Sequence, residues 1–149
     1  MNTNHQRKIQ HLYWRAGFGL SPKEWTQRKD WSIQKNIDLL FANAAVVPAL
    51  SGDAYRKLAR KEKKMGKVLK QMLRKENKRL LAEQNYNWVL RMGDMEQPAL
   101  LERMSLFWHG HFACITKNAY LAHLQLTTIR KHALGSFRDL VLALSLIHI

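Results

Sequence analysis

The chain has 149 residues, 46% of them hydrophobic and 24% charged, and Lys and Arg outnumber Asp and Glu 25 to 11 for a net charge of +14. That length holds one domain and excludes a multidomain enzyme, and the balance of apolar and charged residues excludes a disordered polar tract. The charge calls for anionic partners to be weighed first.

From the N-terminus, Met1-Asn2-Thr3-Asn4-His5-Gln6-Arg7-Lys8 leads into no apolar stretch of the kind a secretory signal needs, so the default compartment is the cytoplasm. Residues 5–15 read as a helix with Ile9, Leu12 and Tyr13 on one side, ended by Gly17 and Gly19 in a left-handed turn. Ser21-Pro22-Lys23-Glu24 combines an N-cap serine, a proline at the first helical position and a glutamate three residues after the cap. Ser32 caps a further helix carrying Ile33, Ile37, Leu40 and Phe41, which stops near Pro48 and the Ser51-Gly52 turn. The most apolar run, residues 37–50, is broken by Asp38, Asn43 and Pro48, and no run approaches the roughly 20 residues of a membrane span, so no transmembrane segment is expected.

The positive charge is concentrated in residues 56–79, where twelve Lys and Arg face only Glu62 and Glu76, giving +10 of the +14. Leu58, Met65, Leu69, Met72, Leu73 and Leu80 recur at helical steps among strong helix formers. The spacing predicts one long basic helix or helical arm over residues 54–91, ~57 Å long, with Asp53 as its cap and Gly66 as the point where it could bend. Lys63, Lys64, Lys67, Lys70, Arg74 and Lys75 are its candidate anion-binding residues. Contact with nucleic acid or an anionic surface is one reading, and the solvated face of a helical hairpin is the other. The segment lacks the interleaved aromatic side chains that stack on bases, so nucleic acid is not favoured.

Beyond the Gly93-Asp94 break, Pro98 opens a helix with Leu101, Met104, Phe107 and Trp108 on its apolar face. Asn118 caps a helix over residues 119–133 with Leu121, Leu124, Thr128 and Ile129 inward, closed by Gly135. Ser136-Phe137-Arg138-Asp139 approximates a last capping box. No alternating strand is evident, so the fold class is all-α, an array of about six or seven helices.

The densest group of chemically capable side chains is Trp108-His109-Gly110-His111-Phe112-Ala113-Cys114. His109, His111 and Cys114 are weak candidates for a metal site, with His123 or His132 to complete it. On a continuous helix the two histidines point about 200° apart, so they could share an ion only if Gly110 ends the helix. As the single cysteine, Cys114 excludes an intrachain disulfide, and beside apolar neighbours it reads as a small buried hydrophobe. Gly17-Phe18-Gly19 lacks the strand and further glycines of a nucleotide loop. Glu102 and the Arg138-Asp139 pair read as structural ion pairs or caps.

Three blocks carry a resemblance. His11-Leu12-Tyr13-Trp14-Arg15-Ala16-Gly17-Phe18-Gly19, Leu101-Glu102-Arg103-Met104-Ser105-Leu106-Phe107-Trp108-His109-Gly110-His111-Phe112, and Arg130-Lys131-His132-Ala133-Leu134-Gly135-Ser136-Phe137-Arg138-Asp139-Leu140 together resemble the N-terminal motifs of the bacterial domain-of-unknown-function 1800 family. Ser136 stands where the family usually has asparagine. The resemblance implies a largely helical, longer protein of unestablished activity, in which the basic middle is an insertion and the Phe-Arg-Asp-Leu block continues into a further conserved-looking segment. It carries over no catalytic residues and no cofactor.

The resemblance also implies that residues 1–143 are the N-terminal portion of a larger helical domain whose first partner is the C-terminal part of the same protein. Leu144-Ser145-Leu146-Ile147-His148-Ile149 can be encoded by the mosaic-end adapter of transposase-based libraries, so residues 144–149 are expected to be a non-native tail. The positions to examine first are Arg15, Trp108, His109, His111, Arg138 and Asp139, with Arg15 and His109 as donors to an anion or substrate. Whether the complete protein is an enzyme stays open. The alternative function is a basic helical module that binds nucleic acid, an acidic surface or a protein partner.

Overall fold

A computed structural model of the chain describes residues 3–55, 67–94, 96–112 and 116–148. Every regular element among them is helical: α1 (Thr3–Ala16), α2 (Pro22–Arg28), α3 (Ile33–Ala44), α4 (Lys67–Gly93), α5 (Ala99–His111), α6 (Ala119–His132) and α7 (Phe137–Ser145), followed by a 3₁₀ turn, Leu146–His148. The all-α expectation holds. No helix among the described residues is long and apolar enough to cross a membrane.

The helix ends follow the local chemistry. Ser21 Oγ accepts from the Glu24 backbone N–H while the Glu24 carboxylate accepts from the Ser21 N–H, a complete capping box. Ser32, Asn118 and Ser136 cap α3, α6 and α7 through their side-chain oxygens. Gly19 sits at φ +107°, the conformation that glycine adopts without the Cβ penalty, and its N–H closes α1 onto the Tyr13 carbonyl at 3.2 Å. Pro98 occupies the N-cap of α5 and Gly93 the end of α4, as the break signals predict.

Packing is organised around α5, which touches α1, α3, α4 and α6, while α6 also packs on α4 and α7. One core joins Ile9, Tyr13, Leu40, Ala44, Leu100, Leu101 and Ala133 across α1, α3, α5 and the end of α6. A second joins Tyr55, Leu73, Leu80 and Ala119 beneath α4. Two polar side chains fasten the first core: the Tyr13 hydroxyl donates to Asn36 Oδ1 at 2.9 Å, and the Asn36 amide donates to the Ser32 carbonyl. Burial pushes the Tyr13 phenol above its ordinary range, which keeps it a donor throughout the physiological range.

The long basic arm is partly confirmed in form. Its C-terminal part is the 27-residue helix α4, residues 53–55 are helical, and Asp53 therefore stands inside that turn rather than ahead of it. Residues 56–66, including Lys63, Lys64 and Gly66, lie outside the described residues, and the side chain of Lys67 does as well. The buried face of α4 differs from the apolar stripe read in the sequence. Leu73, Asn77, Leu80, Gln84 and Trp88 are buried, a series of steps of three and four that leaves Met72 on the solvent side, 62% exposed. Phe41 and Phe107 are likewise more than half exposed.

Candidate functional site

At the second position of α5's resemblance block, Glu102 is fully buried, and it meets Arg130 of α6 in an ion pair of 2.6 Å between Oε1 and Nη2. Arg130 Nε also donates to Oε1, at 3.2 Å, and Nη1 donates to the Pro48 carbonyl at 2.7 Å. The other carboxylate oxygen, Oε2, accepts from the Trp88 indole N–H at 3.1 Å. Two charges taken from water are thus met by two guanidinium N–H groups converging on one carboxylate oxygen, an indole N–H on the other and a carbonyl, which is the condition under which a buried ion pair is tolerated. The network ties α4, α5, α6 and the segment after α3 to one point.

Beside this network lies an open cleft of about 480 Å³ whose lining includes Ser51, Tyr55, Gln84, Asn87, Trp88, Arg91, Asp94, Gln97 and His123. Trp88 belongs to both, and the Arg130–Pro48 bond anchors the chain that leads into the cleft wall at Leu50. His123 stacks on Tyr55 with ring centroids 4.6 Å apart, and Gly52 packs so closely that a Cβ there would come within 2.7 Å of His123 Nε2. Arg91 donates to Gln97 Oε1 at 3.2 Å, and Gln97 in turn donates to Asp94. Gln84 Oε1 is buried and finds no hydrogen-bond partner among the described residues. A buried, unpaired carbonyl oxygen is costly in a folded protein.

The positions singled out in the sequence fall into separate places. Helix α5 runs through Gly110 to His111, so the two histidines diverge. His109 turns inward with its ring edge-on to Trp88 at 5.0 Å, whereas His111 stacks on Phe107 at 5.4 Å. Cys114 lies outside the described residues, and no group of three His, Cys, Asp or Glu side chains suited to a metal ion occurs among the described ones. Trp108 donates its indole N–H to the Ala133 carbonyl at 2.9 Å and packs against Phe112 and Phe137. Arg138 and Asp139 are exposed in the first turn of α7, and the Asp139 N–H points at the Ser136 cap. Arg15 is exposed at the end of α1, beside a turn whose Gly17 packs on Ala99 at the opposite end of α5 from His109, ~15 Å along the helix axis. Arg15 and His109 therefore do not form one donor pair. Lys70, Arg74 and Lys75 are exposed on α4.

Glu102 fulfils the structural ion-pair reading, with Arg130 as its partner. Residue spacing did not reveal Arg130, Trp88 or Gln84. The only advance signal was that Glu102 and Arg130 both stand inside resemblance blocks.

Burial holds the His109 imidazole below its ordinary pKa. Because the unfolded chain then binds a proton more readily, stability should be complete above the unfolded histidine value of about 6.5 and fall as pH drops through it. Urea midpoints measured from pH 7.5 to 5 should decline for the parent protein and decline less steeply for His109→Gln. Identical slopes would show that His109 contributes nothing to acid sensitivity.

The family profile described as "Protein of unknown function (DUF1800)" matches residues 11–148, a span that contains the cleft and the buried network. No curated protein and no solved structure matches the chain significantly. On the profile match the chain belongs to the DUF1800 family, whose function is unknown.

Proposed function

We propose that the cleft between the 48–55 segment, α4 and α6 is the chain's ligand site, and that it takes a small polar molecule offering a hydroxyl or amine hydrogen. The observation that carries this reading is Gln84 Oε1, buried in the cleft lining without a partner among the described residues. Gln84 lines the cleft, so a turn of its amide toward the opening would let a ligand donor satisfy that oxygen. The remaining lining supports such a molecule: among the described residues one cation, Arg91, is balanced by one carboxylate, Asp94, and Asn87, Gln97 and Ser51 add neutral hydrogen-bonding groups. Trp88, Leu90 and Leu126 supply an apolar side.

Substituting Gln84 by leucine tests the reading through stability and binding together. Leucine suits a helix and removes the unpaired oxygen, so the variant should unfold at higher urea, a gain of about 1 kcal/mol. In the parent protein, polyols and small amines at millimolar concentration should shift the Trp88 indole resonance, and the variant should lose that response. A variant less stable than the parent, or an undiminished response, would overturn the proposal.

A further inference from the structure

The structure points to a second site nearer the start of α4: we infer that the groove between α4 and the start of α6 holds a phosphate ester. Its lining includes Arg74, Lys78 and Leu81 of α4 and Thr116, Lys117 and Asn118 ahead of α6, enclosing about 720 Å³. Among the described residues, three cations line it and no carboxylate does. That imbalance has a structural origin. The acids nearest in sequence on α4, Glu76 and Glu83, stand roughly opposite Arg74 and Lys78 around the helix, and both are held by Arg79, at 2.6 and 2.8 Å. The Arg79 guanidinium, donating to Glu76, holds its carboxyl below the ordinary range, so it stays ionised and engaged there. The groove cations keep no such partner on their own helix.

The cations are also in line. Lys70, Arg74 and Lys78 follow one another by four residues, about 6 Å of rise per step, and the row leads to Lys117. The first amides of α6 are already used: Asn77 Oδ1 accepts from Ala119, and Asn118 Oδ1 accepts from Tyr120 and Leu121. An anion is therefore met by side chains, a guanidinium fork and two ammonium groups, with the Thr116 hydroxyl and the Asn118 amide as neutral donors. The space exceeds what a bare phosphate fills, and Leu81 gives it an apolar wall, which suits a phosphate carried on an organic group.

Titration of the full chain with pyrophosphate at low salt, followed by amide NMR, reads the site directly. Binding should perturb Lys117 and Asn118, and Arg74→Glu and Lys78→Glu should each weaken it by about tenfold or more, while Lys8→Glu, an equal change of charge on α1, leaves it within about twofold. A short single-stranded oligonucleotide and phosphatidylglycerol vesicles extend the test to two carriers of the same ester. The carrier that binds more tightly than pyrophosphate and retains the dependence on Arg74 and Lys78 is the source of the phosphate. For the oligonucleotide, affinity should fall about a hundredfold per tenfold rise in salt if three cations are engaged. No binding of any probe at low salt overturns the inference. So does binding that Lys8→Glu weakens as much as the groove variants, since the protein's net charge would then account for it. The ligand site of the other cleft is untouched by these variants, so the two readings fail separately.

Discussion

Glu102→Met is expected to lower the stability of the chain by about 3–5 kcal/mol, read as a drop in urea midpoint at unchanged slope. The substitution conserves apolar volume and helix preference, so packing is not the main loss. What it leaves behind is the cost: the Arg130 guanidinium, fully buried, with its carboxylate gone, and the Trp88 indole N–H without its acceptor. Arg130→Met should cost a similar amount by the reverse route, stranding the Glu102 carboxylate and the Pro48 carbonyl. Since natural domains are stable by only about 5–15 kcal/mol, either change consumes a large share. The same variants should loosen the cleft, because the segment after Pro48 and the Trp88 side chain are both positioned by the pair. A loss below about 1 kcal/mol in both single variants would show that the charges are solvated and not buried as described.

Leu101→Ala should be the next most damaging change, at about 2–5 kcal/mol. Leu101 is 1% exposed in the core shared by α1, α3 and α5, and alanine at that position suits the helix, so the loss reports transfer and cavity alone. Phe107→Ala, six residues on along the same helix, provides the contrast, since Phe107 is 52% exposed. Chemical denaturation of the two variants side by side checks the assignment of the buried face. Equal losses would mean that α5 is rotated from the orientation described.

The termini of the helices were legible because their causes are local. Ser21, Ser32, Asn118 and Ser136 each act on an N–H two or three residues away, and Gly19 is required by its own backbone angle. The buried faces were legible only in part. Periodicity identifies a stripe within a helix, but which edge of the stripe is covered depends on the neighbouring helix, and that is why Met72 and Phe41 are solvent-facing while Asn77 and Asn36 are buried. Polar residues enter a core when a partner waits across space, as Asn36 does for Tyr13 and Asn77 for the Ala119 N–H. Those partners are 23 and 42 residues away, and no spacing rule reaches so far. The cleft was illegible for the same reason. The network beside it joins Arg130 to Glu102 across 28 residues and to Pro48 across 82, whereas the histidine-rich run of the sequence divides between two faces of α5.

The central claim, that Glu102 and Arg130 act as one buried unit holding the cleft together, is tested most directly by a double-mutant cycle in urea. The variant carrying both Glu102→Met and Arg130→Met removes both charges at once and should be more stable than either single variant, so the coupling energy should exceed the roughly 3–5 kcal/mol that one change alone costs. Strictly additive losses, with no coupling, would contradict it.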